Sequence, residues 1–249
     1  MIKISIVTVS FNSAKTIAST LRSVAEQDYP FIEHIVVDGG STDGTGAIVR
    51  EFPHVAHFVS EPDEGIYDGM NKGVELASGD IVGILNSDDF YPHQSVLSLV
   101  ATAFTEEYDS LIGDIVFVSE SNLAKQVRVY SAKGWRPEKF AKGFMPPHPG
   151  FFVRRKFYLD LGLYQTDYKI CADYELLIRF LHTNRLSYRY LPEVLVHMRT
   201  GGVSNNSIKS RWLLNKEVVR ACRSNGLSTS MARLSLKYLK KIFEYRFLW

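Results

Sequence analysis

Carboxylates recur in this sequence where apolar, β-branched runs give out. Asp38 follows His-Ile-Val-Val and opens Asp-Gly-Gly-Ser-Thr-Asp-Gly-Thr. Glu61, Asp63 and Glu64 stand in Ser-Glu-Pro-Asp-Glu-Gly, and Asp88 and Asp89 close Leu-Asn-Ser-Asp-Asp. Any one of these alone reads as a turn or a helix cap, tasks at which Asp and Gly excel. Several at consecutive strand ends imply chemistry. Acids gathered in one crevice repel one another unless a cation joins them, and their oxygens suit a hard divalent ion, Mn²⁺ or Mg²⁺, that keeps positions open for substrate phosphates. Two other phosphate grips are excluded. Gly39 to Gly44 has P-loop spacing, but Thr45-Gly46 stands where Lys and Ser/Thr are required. No G-x-G-x-x-G follows the first apolar run, which argues against a dinucleotide-binding dehydrogenase. That first loop instead reads Thr8-Val9-Ser10-Phe11-Asn12, polar groups and an aromatic suited to holding a base.

The elements that must position these groups alternate between two periods. Residues 3–9, 34–37, 57–60 and 80–85 read as strands. Between them, apolar residues at 14, 17, 18, 21, 24 and 25, and the stretches 45–52 and 68–77, read as helices. Strand–helix alternation predicts right-handed crossovers and a mostly parallel sheet with helices on both faces. Ligands of such sheets bind beyond the carboxyl ends of the strands, so the loops after Val9, Val37, Ser60 and Leu85 are expected to meet at one crevice. From about residue 110 the texture changes to a mixed-sheet half: strands over 110–119 and 125–131, a rigid Pro146-Pro147-His148-Pro149-Gly150 loop, a helix over 173–182 opening on Asp173, a last strand over 191–199, and two helices within 206–249.

Taken in order, Ser-Ile-Val-Thr-Val-Ser-Phe-Asn, Val-Val-Asp-Gly-Gly-Ser-Thr-Asp-Gly-Thr, Glu-Pro-Asp-Glu-Gly-Ile-Tyr-Asp-Gly-Met-Asn-Lys-Gly and Leu-Asn-Ser-Asp-Asp resemble the motifs of glycosyltransferase family two over roughly residues 3–200. The resemblance extends to bacterial exopolysaccharide enzymes of the colanic acid type. It implies an α/β GT-A fold with a Rossmann-like, mostly parallel sheet. It further implies a nucleotide-diphosphate-sugar donor with UDP favoured, a divalent metal, and inversion at the anomeric carbon. Carried over by position, Asp38 binds the donor's base, with Thr8, Ser10 and Phe11 lining its pocket. Asp88 and Asp89 occupy the D-x-D region, Asp88 reaching the donor and Asp89 the metal, although Asn86 replaces the first acid. Asn71 and Lys72 fall at donor contacts; Lys72 is a diphosphate partner or a solvated helix lysine. Asp173 stands at the start of the family's catalytic helix as the base, with Ala172 in place of a Glu, while Glu175 reads as structural. His197 is a metal ligand or a strand-end structural group. His148 lies in a loop like one near the acceptor, and Tyr67 and Trp135 are sugar-stacking or core aromatics. Arg211-Trp212 lacks the Gln of the processive Gln-x-x-Arg-Trp motif, so transfer of a single hexosyl unit is expected. A non-catalytic nucleotide-sugar- or membrane-binding scaffold on the same fold is the alternative.

Composition bounds the rest. At 249 residues, 45% hydrophobic and 22% charged, the chain is a folded domain rather than a disordered or low-complexity one. Cys171 and Cys222 form neither a disulfide framework nor a zinc motif. The formal charge of +2 is a cancellation: residues 1–208 hold 19 Lys and Arg against 25 Asp and Glu, residues 209–249 hold 10 against 2. We therefore divide the chain into a catalytic domain, 1–205, and a basic C-terminal helical extension, 206–249. Arg233, Lys237, Lys240 and Lys241 fall on one helical face opposite Met231, Leu234, Leu239, Ile242 and Phe243, a pattern suited either to an anionic membrane surface or to a helix whose apolar stripe packs on the domain while its lysines are solvated. Expected partners are the donor and a glycan or lipid-linked acceptor. Nucleic acid is not expected, because the rest of the chain offers no basic groove. With no secretory leader or apolar span in the sequence, the expected location is the cytoplasm or the inner face of the cell membrane.

Overall fold

The computed structural model describes residues 2–200 and 208–234. Four β-branched runs form β1 (Ile4–Ser10), β2 (Ile32–Asp38), β3 (Val55–Ser60) and β4 (Ile81–Ile84), joined through α1 (Ile17–Ala25), α2 (Thr45–Arg50) and α3 (Ile66–Leu76). All four strands are parallel, in the order β3-β2-β1-β4. β1 is therefore flanked by the strand that follows it and by one that comes much later, and the crevice between its end and that of β4 is a topological switch point.

The second half is mixed, as the sequence predicts, but holds more elements. α4 (Val96–Ala103) precedes β5 (Ser110–Ser119) and β6 (Asn122–Tyr130); β7 (Phe151–Arg154), α5 (Lys156–Leu161), α6 (Ala172–Ile178), β8 (Tyr188–Arg199) and α7 (Ile208–Ser224) follow. β7 lies antiparallel between β4 and β5. β5 is long enough to take β7 and then β6 along one edge and β8, in parallel, along the other. Between Gly113↔Leu191 and Asp114↔Val194 the register jumps, so Pro192 and Glu193 bulge out of β8 without costing the ladder a donor. The π turn Arg179–Thr183 continues α6. Of the second expected C-terminal helix only the first turn, 231–234, is described, with Leu234 buried in the core; Lys237, Lys240 and Lys241 lie outside the described residues.

Strand alternation divides the core. Val7 and Val9 of β1 join Ile35 and Val37 of β2 under Met70 and Val74 of α3, while Ile4 and Ile6 face Val96, Leu97 and Val100 of α4 on the other side of the sheet. Gly73 lets α3 lie close on β1: a Cβ there would stand 2.2 Å from Val7 Cγ1. The described part of the basic extension is built into this core, since Val218, Ala221 and Cys222 of α7 belong to the cluster that holds α6.

At the N-terminal edge of the sheet, Glu33 is 5% exposed and accepts hydrogen bonds from Lys3 Nζ at 2.7 Å and from the Ser78 backbone N–H at 2.7 Å. Ser5 and Ser78 donate their hydroxyls to the same carboxylate. Burial pushes this acid up, but Lys3 and the serine donors outweigh it and hold it at about 2 against an ordinary 4.5. A depressed carboxyl stabilises the fold above its unfolded pKa and loses that contribution as pH falls through the folded one, a contribution of about 3 kcal/mol at neutral pH. Glu33→Gln is expected to lower denaturant stability by about 2–3 kcal/mol at pH 7, and the deficit should shrink between pH 4.5 and 2. A deficit independent of pH would contradict this origin.

Candidate active site

Three consecutive strand ends converge on Asp38. Ser10 at the end of β1 donates to its Oδ1 at 3.0 Å, Ser60 at the end of β3 donates to Oδ2 at 2.7 Å, and Ser41 donates both its backbone N–H, at 2.9 Å, and its hydroxyl. All four acceptor positions of a fully buried carboxylate are filled. Burial pushes the group up, the donated hydrogen bonds pull it further down, and the net result is a carboxyl below its usual range, ionised at neutral pH. The neighbouring loop is pinned by Asn12, whose φ of 48° is one that Asn tolerates: its N–H donates to Ser41 Oγ at 2.7 Å and its Oδ1 accepts from the Thr42 N–H at 3.1 Å. Phe11 beside it is 65% exposed, an aromatic face open at the rim. Thr8 is placed differently. Its hydroxyl is bonded to His34 Nε2 at 2.9 Å, and His34 Nδ1 to His54 Nε2 at 3.0 Å. Burial and the neighbouring His54 lower His34 to about 3, so this internal chain is uncharged at neutral pH.

Across the switch point, Ser13 and Ser87 hydroxyls meet at 2.8 Å and join the loops after β1 and β4. The second loop carries Asn86, Asp88 and Asp89. Asp89 is 1% exposed, and burial first, then the adjacent Asp88 charge, push its carboxyl well up; Asp88, half-buried, is also raised by burial. Asn86 Oδ1 and Asp89 Oδ1 are buried acceptors that receive no hydrogen bond among the described residues, and the Asn86 amide reaches Asp89 Oδ2 only at 3.5 Å. Phe90 and His197 exchange backbone hydrogen bonds at 3.0 and 2.9 Å, which docks the end of β8 onto this loop. His197 is half-buried, lowered by burial, with its ring edge-on to Phe90 at 5.4 Å. Two residues on, and hence on the same face of the strand, Arg199 stacks over Phe90 at 4.9 Å and exerts its charge on both Asp88 and Asp89. Among the described residues no three His, Cys, Asp or Glu side chains cluster as a ready metal site.

Asp173 sits in the first turn of α6 and is half-buried. Its Oδ1 accepts the Tyr174 N–H at 2.8 Å and faces the Tyr67 hydroxyl at 3.4 Å; no hydrogen bond reaches Oδ2 among the described residues. Burial raises its carboxyl, opposed by His148 and by those hydrogen bonds. Tyr67 belongs to the first turn of α3, the helix entered straight from the loop after β3, and Asp63 of that loop lies so close over Gly39 that a Cβ there would meet Asp63 Oδ2 at 2.6 Å. Asp173 thus stands at the same end of the sheet as Asp38. Its surroundings are rigid: Tyr67 stacks on Tyr164, whose hydroxyl meets His148 Nε2 at 2.8 Å and Tyr158 at 3.1 Å. Tyr67 and Trp135 are both buried, so they are core aromatics rather than open sugar platforms.

Asn71 and Lys72 are engaged within the protein. The Asn71 amide exchanges two 2.9 Å hydrogen bonds with the Tyr164 backbone, and Lys72 pairs with Glu61 at 2.8 Å and Asp68 at 3.4 Å, which raise its ammonium. Glu175 is structural, as its sequence context predicts. It holds Arg179, whose guanidinium in turn binds the carbonyls of Leu161, Gly162 and Leu163. Reading the sequence missed Ser41, Ser60, Tyr164 and Arg199. Only Arg199 carried a signal there, the two-residue strand period from His197.

The profile of Glycosyl transferase family 2 matches residues 5–162. The chain belongs to that family. The family 2 match takes in Asp38, Asp88 and Asp89 and ends before Asp173 and His197. Among related family members, an uncharacterized glycosyltransferase of Mycobacterium tuberculosis is 33% identical over 179 residues, 71% of this chain and 68% of the relative. A PGL/p-HBAD biosynthesis glycosyltransferase of Mycobacterium bovis is 31% identical over 217 residues, 84% of this chain and 82% of the relative. In fold, the chain is similar to residues 1–349 of S. aureus TarS in complex with UDP-GlcNAc. That match has a TM-score of 0.70 at 19% identity and covers 88% of this chain and 66% of that one. Of the longer TarS chain it spans 39%. It is also similar to the mannosyltransferase PcManGT of Pyrobaculum calidifontis in complex with GDP-Man and Mn²⁺, with a TM-score of 0.58 at 17% identity, covering 97% of this chain and 80% of that one. These likenesses place the protein in the GT-A fold.

Proposed function

We propose that this glycosyltransferase moves a single hexosyl unit from a nucleotide-diphosphate sugar, UDP-linked, to a hydroxyl of a glycan or lipid-linked acceptor in surface polysaccharide assembly, with inversion. The observation that carries the reading is the Asp173 carboxylate: half-buried, raised by burial, with one oxygen that receives no hydrogen bond among the described residues, at the same end of the sheet as Asp38. In the reaction, the acceptor hydroxyl gives its proton to Asp173 Oδ2 as its oxygen bonds to the anomeric carbon, and the bond from that carbon to the diphosphate oxygen breaks on the opposite face. Asp38 receives the base, whose N–H takes the place of a rotating Ser41 or Ser60 hydroxyl, with Phe11 stacking and Ser10 and Thr8 supporting the strand end. Asp88 meets the donor's ribose or sugar. Lys72 can turn from Glu61 toward the diphosphate, and Asn71 holds the Tyr164 loop.

The donor set fits a divalent cation. Asn86 Oδ1 and Asp89 Oδ1 are hard oxygens that receive no hydrogen bond among the described residues, and burial and the Asp88 charge keep Asp89 raised despite the Arg199 cation. Asp89 is the principal ligand in this reading, with Asn86 and His197 completing the set. When bound, Mn²⁺ or Mg²⁺ neutralises charge on the leaving diphosphate. The expected result of titrating UDP, GDP and TDP into the protein with Mn²⁺ is preferential binding of UDP. Failure of all three to bind would overturn the donor assignment.

We further propose that the basic C-terminal segment brings the protein to an anionic membrane surface. No helix among the described residues is long and apolar enough to cross a bilayer. Removing residues 235–249 is expected to weaken co-sedimentation with anionic vesicles; unchanged binding would remove the tail from this role.

A further inference from the structure

Glu217 lies on the inward face of α7, 7% exposed. Its carboxylate collects three successive backbone N–H groups, Lys169 at 2.9 Å on Oε1 and Ile170 and Cys171 at 2.9 and 3.0 Å on Oε2. Consecutive N–H groups converging on one anion form a concavity that suits negative charge. The strand of backbone so gripped leads directly into the base. Cys171 is the N-cap of α6, Asp173 follows two residues later, and the Ile170 carbonyl accepts the Tyr67 hydroxyl at 2.5 Å, the same hydroxyl that faces Asp173. A second tie runs from Cys171 Sγ to the Leu214 carbonyl of α7.

Packing alone does not require a carboxylate at this place, because Val218, Ala221 and Cys222 already supply the apolar burial between α7 and α6. A buried acid costs solvation that an apolar residue would not, so its hydrogen bonds must do something that burial does not. We infer that Glu217 is a positioning residue for transfer: it fixes residues 169–171 so that Asp173 and Tyr67 are held in one arrangement toward the acceptor. The inference rests on the proposal that Asp173 is the base, and it makes α7 part of the catalytic machinery.

The test compares full-length Glu217→Gln with the parent in kcat, donor KM and pH profile, each per folded molecule. Gln places an NH₂ donor against backbone donors, which loosens the segment. The charged and titratable groups facing Asp173 are Tyr67 of α3, His148 before β7, Tyr130 of β6 and Tyr164. The first two move relative to Asp173 when residues 169–171 shift, and entering water lessens the burial that raises its carboxyl. kcat is therefore expected to fall about a hundredfold, with donor KM changed less than about twofold, and the acid limb of activity to move to lower pH. Unchanged kcat and an unmoved limb would overturn the inference, even with a lower melting temperature. If Glu217→Gln does not fold, Glu217→Asp decides: one methylene shorter, it keeps charge but cannot span all three N–H groups. Partial loss with the same acidward shift supports positioning; full turnover with an unmoved limb overturns it. Asp173→Asn separates the two layers, since full turnover in that variant overturns the base assignment itself, whereas its loss beside a normal Glu217→Gln overturns only the role of Glu217.

Discussion

Asp173→Asn is expected to lower kcat at least about a thousandfold while leaving donor affinity within about twofold. The amide keeps the volume and the Tyr174 N–H contact at Oδ1 but cannot take a proton from the acceptor hydroxyl. Donor affinity should survive, because the pocket proposed for the base is built on Asp38, Ser10, Ser41 and Ser60, none of which touches Asp173. The parent's pH dependence follows from the same group. Burial raises Asp173 above its ordinary 3.8, and only the ionised form accepts a proton, so activity should fall on acidification at a pH above that of an exposed aspartate. Single-turnover assays across pH measure both. Retention of the acid limb and of turnover in Asp173→Asn would assign the base elsewhere.

Asp89→Asn is expected to move activity and stability in opposite directions. Asp89 is buried beside Asp88, and both burial and that neighbour raise its carboxyl. A carboxyl held above its unfolded pKa favours the fold at low pH and costs stability as pH rises between the unfolded and folded values. At neutral pH and without added metal, the neutral amide removes that cost, so the melting temperature should rise. Activity in Mn²⁺ should fall about a hundredfold or more, because the anionic oxygen proposed to hold the cation is gone. A variant that loses both stability and activity would mark Asp89 as a structural acid; one that keeps full metal-dependent activity would remove it from the metal site. The opposed signs resemble the trade commonly seen where a strained group serves function.

The first half of the molecule was legible because its signals are local. Each strand from β1 to β4 is a β-branched run ended by Asp, Ser or Asn, and the strand-end rule then brings Asp38 and Asp89 to one crevice without knowledge of any contact. β7 was not legible. Phe151–Arg154 is only four residues long, follows a Pro-rich turn, and takes its place between β4 and β5 through pairings with residues far away in the chain. β8 starts at Tyr188 rather than at 191, because Tyr188, Arg189 and Tyr190 are held as strand by pairing with the distant Ser110, Leu111 and Ile112 of β5. At the site, residue types pointed to Asp38, Asp89 and Asp173, but not to how their polar atoms are spent. That Asn71 braces Tyr164, Thr8 bonds a buried histidine and Glu217 grips the approach to Asp173 depends on tertiary geometry alone. Net charge is also blind to periodicity: within the basic stretch 209–249, α7 directs Val218, Ala221 and Cys222 into the core and Arg211, Lys216, Arg220 and Arg223 outward, an arrangement that a charge sum averages away.

The most direct test of the account is release of nucleoside diphosphate from UDP-sugars, measured for the parent, Asp89→Asn and Asp173→Asn with Mn²⁺ and after chelation. The account predicts UDP release by the parent that requires the divalent ion and a sugar acceptor and is lost in both variants. Release unaffected by chelation and by both substitutions, or no release from any UDP-sugar, would contradict it.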